Sequence, residues 1–245
     1  MSIVLHHVSL ERREQDERAM DLKRSVFAFV QGRYRRPDRR QVLRDISFQA
    51  QPGERIGIIG SNGAGKSTLL KVIAGVIPAT SGEVRVAGTV APLIELGAGF
   101  DPDLSVGDNI VMYGVLLGYS RAMMMERTDA ILEFAELQTY KWALVKTLSS
   151  GMAARLGFAV ASDVHPDVLL LDEVFAVGDE AFRDKSRSRI EQLWATGTAS
   201  IVVSHDLAFV SEMCSRAVCM DGGRIAFAGA PHMAVRFYLD AIASR

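Results

Sequence analysis

Residues 60–68, GSNGAGKST, constrain this chain more than any other stretch. They follow the apolar run RIGII and lead into LLKVIAG, so the pattern predicts strand, loop and helix in that order. In that context the nonapeptide reads as a phosphate-binding P-loop. Gly60, Gly63 and Gly65 let the backbone wrap phosphates without Cβ clashes. Ser61, Asn62, Ala64 and Thr68 complete the expected nucleotide-binding loop. Successive N–H groups and the helix amino terminus supply positive potential there. Lys66 adds a point charge for the β- and γ-phosphates, and Ser67 offers a hydroxyl to Mg²⁺.

About a hundred residues on, DVLLLDEV (167–174) is an apolar strand ending in two acids. Asp172 at such a strand end can hold Mg²⁺ through water, opposite the P-loop. Glu173 can polarise an attacking water as a general base. Strands often end in acids; the P-loop upstream is what gives this pair its meaning. In VVSHDL, His205 falls just past another apolar run and Asp206 at a helix cap. A lone histidine is usually structural. At the carboxyl edge of a parallel sheet, where open α/β sheets bind ligands, it can reach the γ-phosphate and hold the water in line.

The rest of the pattern alternates β-type runs, at 55–59, 168–171, 200–203 and 217–220, with helical ones, at 66–74, 180–194, 207–213 and 233–243. The last helix opens with Pro231. This predicts an α/β fold with a mainly parallel core sheet. At 245 residues, 49% of them hydrophobic, the chain can bury a large core, and it reads as one domain over 1–245. A net charge of −1 gives no reason to propose nucleic acid. No apolar run is long enough to span a bilayer, and the amino terminus lacks a signal-peptide pattern. Cys214 and Cys219 lack metal-ligand spacing and read as reduced structural thiols. His6 and His7 have no carboxylate or cysteine nearby in sequence and read as strand residues.

Three stretches stand apart from the core. Residues 82–96 look like antiparallel strands around turn glycines. Residues 101–162 are dominated by helical patterns and suggest a helical subdomain inserted between the halves of the sheet; the methionines at 123–125 read as packing within it. Residues 11–40 form a charged insertion. Ala19, Leu22, Val26, Phe29 and Val30 share a helical face there, followed by Arg33, Arg35, Arg36, Arg39, Arg40 and Arg44 against only Asp38. That combination fits a membrane surface or an anionic headgroup, and equally a solvated face on an ordinary helix.

One stretch remains: LSSGMAARLGFAVA at 148–161, two serines and a glycine at the head of an apolar helix. On its own this is a helix cap. The set GSNGAGKST, LSSGM, LLLDE and SH, in that order and spacing, resembles the nucleotide-binding subunit of ABC transporters over nearly the whole chain. The resemblance implies a P-loop NTPase of the ABC ATPase type, with an antiparallel β subdomain, binding ATP and Mg²⁺. It also implies a head-to-tail homodimer in which Ser149, Ser150, Gly151 and Met152 contact the ATP held by the partner chain. In AVGD, Asp179 matches the D-loop aspartate that contacts the dimer partner.

RLGFAVA, DEVFAVGDEAF and LIELGAGFDPDLSVGDNI further resemble the subfamily that exports polysaccharides, O-antigens and teichoic acids. By that resemblance the chain is a peripheral subunit at the cytoplasmic face of the bacterial inner (plasma) membrane. There it powers a permease that moves a lipid-linked glycan. A different cargo, such as a lipid or drug, and a soluble regulatory ABC protein are the alternatives. A module that binds ATP without turnover is disfavoured by Glu173 and His205.

Several positions depart from the family. LSSGM replaces the usual LSGGQ. Glu95 stands nearest the missing Q-loop glutamine, and the resemblance implies a metal-sensing role for it. VSLERRE has no aromatic ring to stack on adenine, which leaves Tyr34 as the substitute. The chain ends at Arg245 without the glycan-binding domain some O-antigen exporters carry, which argues against cargo selection by this subunit.

Overall fold

The apolar runs of the sequence become strands buried on both faces, and their carboxyl ends set out the site. The computed structural model describes residues 2–13, 39–94, 96–163, 165–173 and 178–243. β1 (Ile3–Arg13) and β2 (Arg39–Ala50) are followed by β3 (Arg55–Gly60), α1 (Lys66–Ile73), β4 (Ser81–Val86) and β5 (Val90–Leu93). Then come α2 (Val106–Leu116), α3 (Arg121–Ala135) and α4 (Ser150–Asp163). The chain returns through β6 (Val168–Asp172), α5 (Glu180–Ala195), β7 (Ala199–Val203), α6 (Leu207–Met213), β8 (Arg216–Asp221), β9 (Arg224–Gly229) and α7 (Pro231–Ala243).

Six strands form the core sheet in the order β5-β6-β7-β3-β8-β9. All neighbours pair in parallel except the antiparallel β8–β9 edge. A second sheet, β2-β1-β4, is antiparallel throughout. Because side chains alternate across a strand, β6 feeds two cores: Val168 and Leu170 join Ile56, Ile58, Leu69 and Leu70 under the antiparallel sheet. Leu169 and Leu171 join Phe158, Phe182 and Ile131 on the opposite face, beneath the helices. Burying each such side chain contributes about 1.5–3 kcal/mol.

The helix starts are set by short polar side chains. Ser105 accepts from the Asp108 amide at α2, Ser120 from Met123 at α3, and Asp206 from Phe209 at α6. Pro231 occupies the first position of α7.

Three sequence expectations are corrected. Residues 82–96 are not all antiparallel: β4 pairs antiparallel with β1, but β5 pairs in parallel with β6 and closes one edge of the core sheet. The insertion expected over 11–40 is strand at both ends, since β1 runs on to Arg13 and β2 starts at Arg39. The backbone ladder there pairs Glu11 with Gln41 and Arg12 with Arg40. Its apolar stripe and the arginines at 33, 35 and 36 lie outside the described residues. Finally, His7 does have a carboxylate: its Nδ1 lies 2.6 Å from Oδ1 of Asp45, brought in from β2. Both cysteines are buried free thiols, and burial pushes Cys214 up to about 12.

Candidate functional site

Register gathers three strand ends. Asp172 pairs with Val203, and Val203 with Ile58, so the loops leaving β6, β7 and β3 emerge side by side at the carboxyl edge of the sheet. They meet in a cleft of about 540 Å³, walled by Asn62, Gly63, Lys66, Ser67, Glu173 and His205. Gly60 opens the loop with φ 150°, and a Cβ there would lie 2.3 Å from the Met220 carbonyl oxygen, so only glycine fits. Gly65, at φ 99°, caps α1 without a side chain and leaves the amides of the first turn facing the cleft.

Lys66 is only 7% exposed. Its Nζ donates to the carbonyl oxygens of Gly60, at 2.8 Å, and Ser61, at 3.0 Å. Burial lowers its pKa, while Glu173 and Asp172 act against that. The ammonium is thus held in the loop, with carboxylates as its nearest counter-charges. Asp172 shows the converse: burial raises its pKa, and the Ser67 hydroxyl hydrogen-bonds to it in the other direction. A hydroxyl and a carboxylate side by side at the loop are hard oxygen donors, the set a Mg²⁺ ion takes. Residues 67 and 172 therefore fit the ion that the sequence pattern implies.

Glu173 sits at φ 53°, left-handed for a non-glycine residue, which costs of order 1–3 kcal/mol. Its amide donates to the Val203 carbonyl at 3.1 Å, and the turn carries its carboxylate to 2.8 Å from Nε2 of His205. Strain, an exposed carboxylate and an imidazole partner meet at the cleft mouth. That arrangement can accept a proton from a water beside a bound phosphate.

Ser149 to Met152 are elsewhere: none of them lines this cleft. Ser149 accepts from the Met152 amide at 3.2 Å and caps α4. It is exposed, as are Ser150 and Gly151. A Cβ on Gly151 would meet nothing nearer than the Ser149 hydroxyl, 4.0 Å away. Asp179 caps α5 through the Phe182 amide at 3.0 Å and takes Nη2 of Arg155 at 2.6 Å. Both contacts hold its carboxyl below the ordinary range, the amide more than the arginine. Tyr34 and Glu95, expected in nucleotide and metal binding, lie outside the described residues.

Seven lining positions were not legible as site residues in the sequence: Arg12, Arg40, Gln41, Val42 and Arg44 on the β1–β2 pair, and Gly222 and Gly223 between β8 and β9. The arginine run drew notice, but nothing local says that β2 lies over the P-loop. That placement is made by the turn at Gly222 and Gly223. The Arg44 amide donates to the Gly223 carbonyl at 2.8 Å, and the Gly223 amide to the Ala64 carbonyl at 3.2 Å.

The fold and this cleft define a P-loop nucleoside triphosphatase with a second, separate helix-start motif. Residues 43–176 match the model of the ABC transporter family. Among curated proteins, the chain is 43% identical over 200 residues to the O-antigen export system ATP-binding protein RfbB of Myxococcus xanthus, covering 82% of this chain and 46% of that one. It is 41% identical over 201 residues to the RfbB of Klebsiella pneumoniae, covering 82% of each. The Teichoic acids export ATP-binding protein TagH of Lactococcus lactis subsp. lactis (strain IL1403) is 38% identical over 196 residues, 80% of this chain and 42% of that one. The chain thus spans about half the length of the Myxococcus relative, and less of the Lactococcus one.

Among solved structures, an ATP-binding subunit of an ABC transporter superposes with a TM-score of 0.76 at 20% identity, covering 100% of this chain and 98% of that one. A dimeric ATP-binding cassette in a post-hydrolysis state with ADP and Pi gives 0.72 at 18%, covering 94% of this chain and 98% of that one. At those identities the likeness is one of fold. The chain belongs to the ABC transporter family, and its fold is that of an ABC-type ATPase.

Proposed function

We propose that this chain is the ATP-hydrolysing subunit of an exporter of lipid-linked polysaccharide, working as a head-to-tail homodimer at the cytoplasmic face of a bacterial membrane. The observation that carries the dimer is Gly151. A glycine inside a helix costs roughly 0.5–1 kcal/mol against alanine. Here a Cβ would meet nothing nearer than the Ser149 hydroxyl at 4.0 Å, so no contact among the described residues requires glycine. A ligand approaching from outside does. The exposed serines and free amides at the start of α4 offer an anion site, and a second copy's ATP is an anion of the right kind.

In the closed pair, residues 60–68 hold the phosphates and Lys66 moves from its loop carbonyls to the β/γ-phosphate oxygens. Ser67 and Asp172 would hold Mg²⁺, which neutralises charge on the phosphates when bound. Glu173 takes the proton of the attacking water, His205 orients Glu173 and the water, and Asp179 lies at the dimer contact. ATP drives closure because it binds the closed pair more tightly than the open one. The glycan cargo rests on the relatives, named for O-antigen and teichoic acid export.

No helix among the described residues is long and apolar enough to cross a membrane. A permease partner therefore needs a docking surface. The groove along α2 and α3, lined by Val111, Val115, Leu116, Met125 and Trp142, is the exposed apolar surface we assign to it.

The test is size-exclusion chromatography of Glu173→Gln with and without Mg-ATP. A monomer that becomes a dimer only with Mg-ATP is expected, with hydrolysis reduced at least a hundredfold. A variant that hydrolyses at the normal rate sinks the base assignment, and one that stays monomeric with ATP bound sinks the two-half-site reading.

A further inference from the structure

We propose that Arg12 and Arg40 form the nucleoside-binding face of the ATP cleft, the base stacking on a guanidinium plane instead of on an aromatic ring. The inference rests on the ATP reading of the cleft. The phosphate end of the cleft is accounted for by Lys66, Ser67, Asp172, Glu173 and His205. The wall left for the nucleoside is the β1–β2 pair, where Arg12, Arg40 and Arg44 line the same cleft. No Phe, Tyr or Trp lines it among the described residues.

The placement of the arginines favours an anionic ligand. Arg12 and Arg40 are directly opposed cross-strand partners. Like charges in that position are destabilising. No carboxylate among the described residues pairs with either one, or with Arg44. Their height over the P-loop is also fixed. Backbone hydrogen bonds from Arg44 to Gly223 and from Gly223 to Ala64 tie β2 to the loop that holds the phosphates. A polyanion with a flat base resolves this arrangement. Its charge relieves the repulsion, and its π-face takes a planar guanidinium, as an ammonium would not.

Calorimetric titration of the full chain with Mg-ATP and with Mg-tripolyphosphate, near 0.15 M salt, separates stacking from simple charge attraction. Arg12→Ala/Arg40→Ala should weaken ATP about tenfold, while tripolyphosphate weakens only a few-fold. Arg40→Trp in the Arg12→Ala background should recover most of the ATP affinity, and Arg40→Lys should not, because lysine keeps the charge and loses the plane. Full recovery by lysine with none by tryptophan would mean that the pair holds phosphate, and would overturn the proposal. So would unchanged ATP affinity in the double alanine variant, or a loss with Tyr34→Ala alone. Lys66→Ala is the separate control on the ATP reading: if it binds ATP as the parent does, the phosphate loop itself is misassigned.

Discussion

Asp172 is a carboxylate held against its own charge. Burial raises its pKa and Glu173 adds to that, while the Ser67 hydroxyl, Lys66 and Lys71 oppose it. A carboxyl whose folded pKa lies above its unfolded value costs stability at neutral pH, and the cost disappears as pH falls below the unfolded value. Asp172→Asn is therefore expected to raise the melting temperature at pH 7 without ligand, by about 2–4 °C for each kcal/mol relieved, and to raise it by less near pH 4, where the cost is fading. The same variant should lose most of the stabilisation that Mg-ATP gives the parent, since a ligand stabilises only through its affinity for the folded state. Thermal melts at the two pH values, with and without Mg-ATP, read both effects. A variant less stable at pH 7 in the absence of ligand would show that the Lys66 contact outweighs burial. Glu173, one residue on, carries the same kind of burden in its backbone: a left-handed φ that nothing in the strand requires and that turns the carboxylate towards His205.

At the scale of elements, the aim of α4 decides where Ser149–Gly151 point, and an aromatic cluster sets that aim. Phe158 on α4 stacks on Phe134 of α3 with centroids 6.0 Å apart and meets Phe182 of α5 edge-on at 5.9 Å. Phe134 and Phe182 close the triangle at 5.9 Å. Arg155 lies over Phe182 at 5.0 Å and reaches Glu136 and Asp179, so the cap of α5 is tied to α4 as well. Phe158 is fully buried. Phe158→Ala should cost about 3–5 kcal/mol, and Phe158→Leu less, because leucine refills part of the cavity. Urea unfolding measures the cost. If α4 is aimed by this cluster, Phe158→Leu should also weaken ATP-driven dimerisation in the Glu173→Gln background while the monomer still binds ATP. Undiminished dimerisation would assign the aim of α4 to other contacts, Arg155 first.

For the whole molecule, what could be read from the sequence is what depends on neighbours along the chain. The loop carrying Lys66, the strand end carrying Asp172 and the loop carrying His205 are local patterns, and the parallel sheet sets the strands before them side by side. What could not be read depends on distant pairing. β5 joins the core sheet only because β6 offers it a parallel edge, and Arg12 and Arg40 reach the cleft only because the β8–β9 turn pins β2 over the P-loop. The groove between α2 and α3 is a surface of the same long-range kind. Trp142 is 80% exposed and Leu116 69%, with Met125 and Val115 also exposed along the same groove. The permease docking proposed above rests on this apolar exposure. Substitution of surface side chains is usually within about 0.5 kcal/mol of neutral. Trp142→Ala/Leu116→Ala should therefore leave folding and the ATP hydrolysis of the isolated chain unchanged. With a permease co-expressed and reconstituted, the same variant should co-purify at a fraction of the parent's yield and lose the permease-dependent stimulation of hydrolysis. If stimulation and co-purification survive, the permease docks elsewhere and this groove serves a different partner.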